Sequence, residues 1–149
     1  MAPPARRAAV YRFDTQYLIH ASSLSVRDLW IASSPAFMLR AAEDAGELGR
    51  CVDLALQASE VGVPHPEDPN ELMGPLSELD VDWDALGAPT ACVEVEEEEG
   101  RVVLRPTRRL RGDAGFEPIP TMEVVTAVAD RRRLGEVVLR VFASCEVEG

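Results

Sequence analysis

Ala91 to Thr107 limits what this chain can fold into more than any other segment. Cys92, Val93 and Val95 run into the glutamates Glu96, Glu97, Glu98 and Glu99; Gly100 follows, then Val102, Val103 and Leu104. Two apolar, β-prone runs joined at a glycine read as a β-hairpin, and Pro106 ends it. The chain is thereby committed to antiparallel sheet. Two other segments carry the 3.6-residue period of an amphipathic helix. Leu48, Cys51, Val52, Ala55 and Leu56 recur at that spacing up to about Ser59, and Leu134, Val137, Val138, Val141 and Phe142 do so within Arg131 to Cys145.

These two helices echo each other. Glu47 to Glu60 reads ELGRCVDLALQASE and Arg133 to Glu146 reads RLGEVVLRVFASCE, with four identities in 14 positions. Each begins with Leu-Gly, and Gly49 and Gly135 are positions at which another element can approach closely. Two units are too few for a repeat array.

The remaining segments are shorter. Val10 to His20 reads as a first strand and Met122 to Val128 as a late one. Ser34-Pro35 fits a helix start, with proline at the first helical position and Phe37, Met38 and Leu39 behind it. Gly62, Pro64, Pro66 and Pro69 mark a loop, and Arg108 to Pro120 marks another. Leu72, Met73, Leu76, Leu79, Trp83 and Leu86 are apolar anchors in an acidic stretch, with a short helix near Trp83. The expected fold is α+β: one domain over residues 1–149, a small, mainly antiparallel sheet with helices packed on it, and residues 1–9 flexible.

Charge divides this chain unevenly. The net charge is −11, and all 15 basic residues are arginine. From Glu43 to Glu99 there are 17 acidic residues and one arginine, Arg50, a net −16; the rest of the chain is net +5. Such density costs folding energy by self-repulsion and repels phosphate backbones and anionic lipid. Direct nucleic-acid binding and membrane binding are therefore disfavoured, and a basic protein partner is favoured. Arg101, Arg105, Arg108, Arg109 and Arg111 are available to pair with some of the acids within the fold.

No catalytic constellation stands out. There is no glycine-rich phosphate loop and no nucleophile elbow. His20 ends a predicted strand and His65 lies between two prolines, where a histidine is ordinarily polar surface. Cys51, Cys92 and Cys145 are widely spaced and read as buried free thiols, not as a zinc site. Asp80, Asp82 and Asp84 alternate as in a calcium loop, but the sharp-turn glycine and the closing glutamate are missing. The expectation is a non-enzyme without catalytic residues, cofactor or metal. Trp83, ringed by acids, fits an aromatic anchor for a partner. The candidate partner-binding residues are Glu78, Asp80, Asp82, Trp83, Asp84, Glu94, Glu96, Glu97, Glu98 and Glu99.

Several short motifs occur in a characteristic order. They are Leu48-Gly49 with Ala55-Leu56 and Ser59; Gly62-Val63-Pro64-His65-Pro66; Trp83; Arg105-Pro106-Thr107; Gly115-Phe116; and Leu134-Gly135 with Val138-Leu139. In that order, from about Phe13 to Ser144, the chain resembles the immunity proteins of bacterial contact-dependent growth inhibition systems. The resemblance implies a cytoplasmic antidote that binds the C-terminal domain of a cognate toxin, often a nuclease, and blocks it without catalysis or cofactor. It transfers no contact residue, because such surfaces diverge with the toxin. No apolar run approaches the roughly 20 residues of a membrane helix, and Met1 to Val10 makes a poor secretory signal, so a cytoplasmic location is expected. The alternative is a non-catalytic acidic adaptor or subunit docking on a basic protein partner.

Overall fold

A computed structural model describes residues 5–40, 44–68, 74–77, 79–112, 115–119, 122–127 and 130–148. It contains a nine-stranded, mainly antiparallel sheet and four helices, the α+β class expected. The central hairpin is β5 (Ala91–Glu98) and β6 (Arg101–Arg109), joined by Glu99 and Gly100. Both turn residues have positive φ, 52° and 79°, as a two-residue type I′ turn requires. β6 runs past Pro106 into the segment expected to be loop.

Where one first strand was expected there are two, β1 (Arg6–Arg12) and β2 (Gln16–Ser25), antiparallel to each other. Phe13 to Thr15 turns the chain without glycine or proline, with Asp14 as its one turn-favouring residue. Residues 6–9, expected to be flexible, are strand: β1 lies between β2 and β5 and pairs with both. The helix expected at Ser34-Pro35 is strand β3 (Trp30–Arg40) instead. Its pairing with β2 shifts register between His20 and Ala21, and Ser34-Pro35, a cis peptide, falls opposite that shift. Proline is tolerated there because β3 is the outermost strand.

The sheet order is β3-β2-β1-β5-β6-β7, with β7 spanning Phe116–Pro118. β4 (Val61–Val63) pairs parallel with β2, β8 (Val124–Ala127) antiparallel with β6, and β9 (Glu146–Val147) parallel with β6. The strand expected over Met122 to Val128 thus exists in shorter form.

Both periodic helices are present as α1 (Ala45–Ala58) and α4 (Arg131–Phe142). Asp44 caps α1 by accepting from the Glu47 amide at 2.8 Å, and Asp130 caps α4 through the Arg133 amide at 3.2 Å. They pack on one face of the sheet and against each other. A methyl group on Gly49 would overlap the Arg131 carbonyl oxygen, and one on Gly135 would overlap the Ala45 carbonyl oxygen. The Leu-Gly echo is therefore the seam of the helix pair. Val10, Ile19, Val93, Val95, Val102 and Leu104 meet Leu48, Val52, Leu56, Leu134, Val138 and Phe142 in one buried cluster. Cys51 is buried within it and Cys145, only half-buried, packs against it.

On the other face lies a second, smaller core. α2 (Gly74–Ser77) brings Leu76 onto Phe13 and Leu18, with Met38, Leu79 and Leu86 around them. The short helix expected near Trp83 is α3 (Trp83–Leu86), capped by Asp82. Leu72 and Met73 lie outside the described residues. Among the described residues no helix is long and apolar enough to cross a membrane.

Candidate functional site: an aromatic and charged groove

Strand alternation decides what the open face of the sheet displays. Residues 8, 10, 19, 21, 91, 93 and 95 point at the helices. The residues between them, among them Arg7, Ala9, Tyr11, His20, Ser22, Cys92, Glu94 and Glu96, line a groove of about 630 Å³ on the other side. Trp30 stands at one wall and Phe116 at another, and Trp83 of α3 joins the lining. The groove thus draws on the hairpin, on β1 and β2, and on the acidic segment.

Three cross-strand rows make the floor. Leu18, Tyr11 and Cys92 form one; His20, Ala9, Glu94 and Arg105 form the next; Ser22, Arg7, Glu96 and Val103 form the third. Tyr11 stacks on His20 at 5.7 Å between ring centroids and meets Phe116 edge-on at 5.8 Å. Burial, and then the neighbouring Cys92 and Glu94, push the Tyr11 phenol above its ordinary range. Burial does the same to the Cys92 thiol. His20 is only 6% exposed, and burial holds its pKa below the ordinary 6.5 against the opposing pull of the Ala21 carbonyl. All three groups are therefore neutral near pH 7. A buried thiol kept protonated is no nucleophile, so this trio does not resemble an activated catalytic site.

The charged residues of the floor are largely spent on one another. Glu96 Oε2 accepts from Arg105 at 2.9 Å and pairs with Arg7 at 3.1 Å, and Arg105 also reaches Glu123 at 2.6 Å. The Arg7 guanidinium lies over the Trp30 ring, 4.6 Å from its centroid. Other arginines behave as expected: Arg108 bridges Glu117 and Glu146, at 3.3 and 2.8 Å.

The structure divides the candidate partner-binding residues. Trp83, Glu94 and Glu96 meet in the groove lining. Asp80, Asp82 and Asp84 are exposed outside its lining, with Asp80 and Asp82 lining a separate depression beside Asp14, Thr15 and Gln16, and Trp83 itself is 37% exposed. Glu98 and Glu99 are exposed at the hairpin tip. Glu97 alternates to the helix side of β5, half-buried, with one carboxylate oxygen buried and unbonded, so the glutamate run is not a single surface. Glu78 lies outside the described residues. Nothing in the sequence grouped Tyr11, His20, Trp30 and Phe116, because β1, β2, β3 and β7 bring them together only through the pairing of the sheet.

His65 takes no part in the groove. Its Nδ1 lies 3.0 Å from Ser25 Oγ, which also accepts from the amides of Arg27 and Leu29. Ser25 is only 2% exposed and His65 half-buried, and the pair staples a turn. Among the described residues no group of three or more His, Cys, Asp or Glu side chains is arranged to hold a metal ion.

Against known proteins, no family profile and no curated sequence matches this chain. Solved structures do share its fold. A protein of unknown function from Neisseria meningitidis superposes with a TM-score of 0.76 at 17% identity, covering 98% of each chain. A chain of the CdiA-CT/CdiI toxin and immunity complex from Yersinia pseudotuberculosis superposes with a TM-score of 0.77 at 13% identity, covering 98% of this chain and 100% of that one. At such identities the likeness establishes a shared fold, seen from end to end in a protein of a toxin–immunity pair.

Proposed function

We propose that this protein is a cytoplasmic immunity protein of a contact-dependent growth inhibition system, which binds and neutralises one cognate toxin domain. The observation that carries this reading is the full-length likeness to a chain of a toxin and immunity complex. It is supported by the net charge of −11. In this reading the toxin domain is basic, as a nuclease with a phosphate-binding cleft would be, and the antidote acts by occupancy without catalysis or cofactor.

The partner-facing surface is proposed as the groove with its exposed acidic border: Asp80, Asp82, Trp83 and Asp84 on one side, Glu94 and Glu96 within, Glu98 and Glu99 at the tip. Charge complementarity steers encounter toward rates on the order of 10⁸–10⁹ M⁻¹s⁻¹ at low salt and rejects wrong partners. An antidote that must outpace its toxin gains from speed. Rim charges act mainly on the association rate, so Asp82→Arg with Glu98→Arg should slow association roughly tenfold and flatten its salt dependence. Unchanged kinetics would remove the border from the interface.

The decisive experiment is co-expression with the C-terminal domain of the large toxin whose gene this reading expects immediately upstream. Restored growth and a stable co-purifying complex are the expected result. Continued toxicity without a complex would reject the reading.

A further inference from the structure

The middle row of the groove floor contains a gap and an unanswered charge. His20, Ala9 and Glu94 stand side by side on β2, β1 and β5. Adjacent strands are about 4.8 Å apart, so the backbones of His20 and Glu94 are separated by roughly 10 Å, with Ala9 between them in the row and the Tyr11 ring, stacked on His20, alongside. Both flanking groups are hydrogen-bond acceptors. His20 Nδ1 lies 2.8 Å from the Ala21 carbonyl and must donate to it, which leaves the lone pair on Nε2. Glu94 is a carboxylate whose direct cross-strand neighbour is Arg105. Yet Arg105 turns away to Glu96 and Glu123, and Arg7 also goes to Glu96. Those two arginines and two glutamates cancel. Among the described residues no basic side chain forms an ion pair with Glu94, so although the charged lining residues Arg7, Arg105, Glu94 and Glu96 sum to zero, Glu94 is the groove carboxylate without an ion-pair partner.

The same groove already shows how it holds a guanidinium. Arg7 lies flat over Trp30 and pairs with Glu96, one aromatic face and one carboxylate. Glu94 repeats the carboxylate, and Tyr11, Phe116 and Trp83 supply further aromatic surface in the same lining. A guanidinium has five donors in a planar fork, is weakly hydrated and stacks on aromatic rings, and so fits such a site better than a compact ammonium.

We infer that the groove is an arginine socket: one arginine of the protein partner enters over Ala9, pairs with Glu94 and donates to His20 Nε2 against the aromatic wall. The identity of that partner as a toxin domain rests on the function proposed above. The border carboxylates Asp80, Asp82 and Asp84 guide the arginine in, whereas Glu94 holds it. Loss of Glu94 therefore acts on dissociation, and loss of a border charge acts on association.

The test is titration of the toxin domain against the wild-type protein, Glu94→Gln and Ala9→Leu, with thermal unfolding of each variant as the control for folding. Glu94→Gln removes the charge and Ala9→Leu fills the gap, so each should weaken binding at least roughly thirtyfold, through faster dissociation. Replacing the toxin's arginines by glutamine one at a time should then reveal one, and only one, whose loss is no longer felt in the Glu94→Gln background. That coupling is a readout that mere structural damage does not produce. If the wild-type protein ignores the toxin, the neutralisation reading fails and takes the partner arginine with it. If the wild-type protein binds but both variants bind equally well, or no arginine couples to Glu94, the socket is overturned while neutralisation stands.

Discussion

The two faces of the sheet are made from alternate residues of the same strands, yet they obey different rules. Toward α1 and α4 the strands present Ala8, Val10, Ile19, Val93 and Val95, sealed beneath two helices whose backbones touch at Gly49 and Gly135. Toward the groove they present Arg7, Ala9, Tyr11, His20, Cys92, Glu94 and Glu96, around open space. Stability is concentrated on the first face, where apolar area leaves water and no gap remains. Polar and charged groups are concentrated on the second, where Arg7, Glu96 and Arg105 pair with one another or with Glu123 and Glu94 has no ion-pair partner. The comparison teaches that the binding surface proposed here needs no separate element; the reverse side of the core strands provides the groove.

The largest effect that would sharpen this contrast lies at the helix seam. Gly49→Ala forces a methyl against the Arg131 carbonyl, a backbone atom that cannot rotate away, so the helices must separate. A loss of more than about 3 kcal/mol is expected in chemical denaturation. A loss below about 1 kcal/mol would mean that the seam is looser than its geometry implies.

A middle-sized effect comes from neighbours in sequence on opposite faces. Ala8 is sealed under the helices, so Ala8→Leu should overpack the core and cost about 1–3 kcal/mol. Ala9→Leu, pointing into the groove, should cost less than about 1 kcal/mol. Equal losses from the two substitutions would break the division between the faces.

The smallest effect is one of pH. Burial lowers the pKa of His20 from the ordinary 6.5, so the unfolded chain takes up a proton more readily than the folded protein. His20's contribution is intact above that value and declines as the pH falls through it. Unfolding midpoints recorded between about pH 7 and pH 5.5 should therefore drop, and His20→Gln should flatten the slope. An identical slope in the variant would show that the histidine is not the source.

Much of this was legible in the sequence where signals were local. The β5–β6 hairpin follows from the apolar runs on either side of Gly100, and α1 and α4 from their period. The close approach at Gly49 and Gly135 was readable from the repeated Leu-Gly. Signals failed where two structures share one code. Proline after serine is as much at home on an edge strand as at a helix start, and Phe13 to Thr15 turns the chain with Asp14 as its one turn-favouring residue and no glycine or proline. The groove was legible only in its acidic half. Its aromatic half depends on β1 lying between β2 and β5, a pairing that sets Ala9 beside Glu94 across 85 positions of sequence. The glutamate run looked like one patch because a linear reading cannot see that alternation sends Glu97 to the opposite side of its strand from Glu96.

That alternation has a consequence for how such a molecule can change over generations. Odd-numbered positions of β5 serve the interior and even-numbered positions serve the groove, so substitutions at 92, 94 or 96 do not pass through the apolar layer. A lineage can exchange one partner for another by rewriting every second residue while the scaffold stays untouched. The sheet works as a partition between inheritance and novelty, and two chains sharing little sequence can then share one fold from end to end.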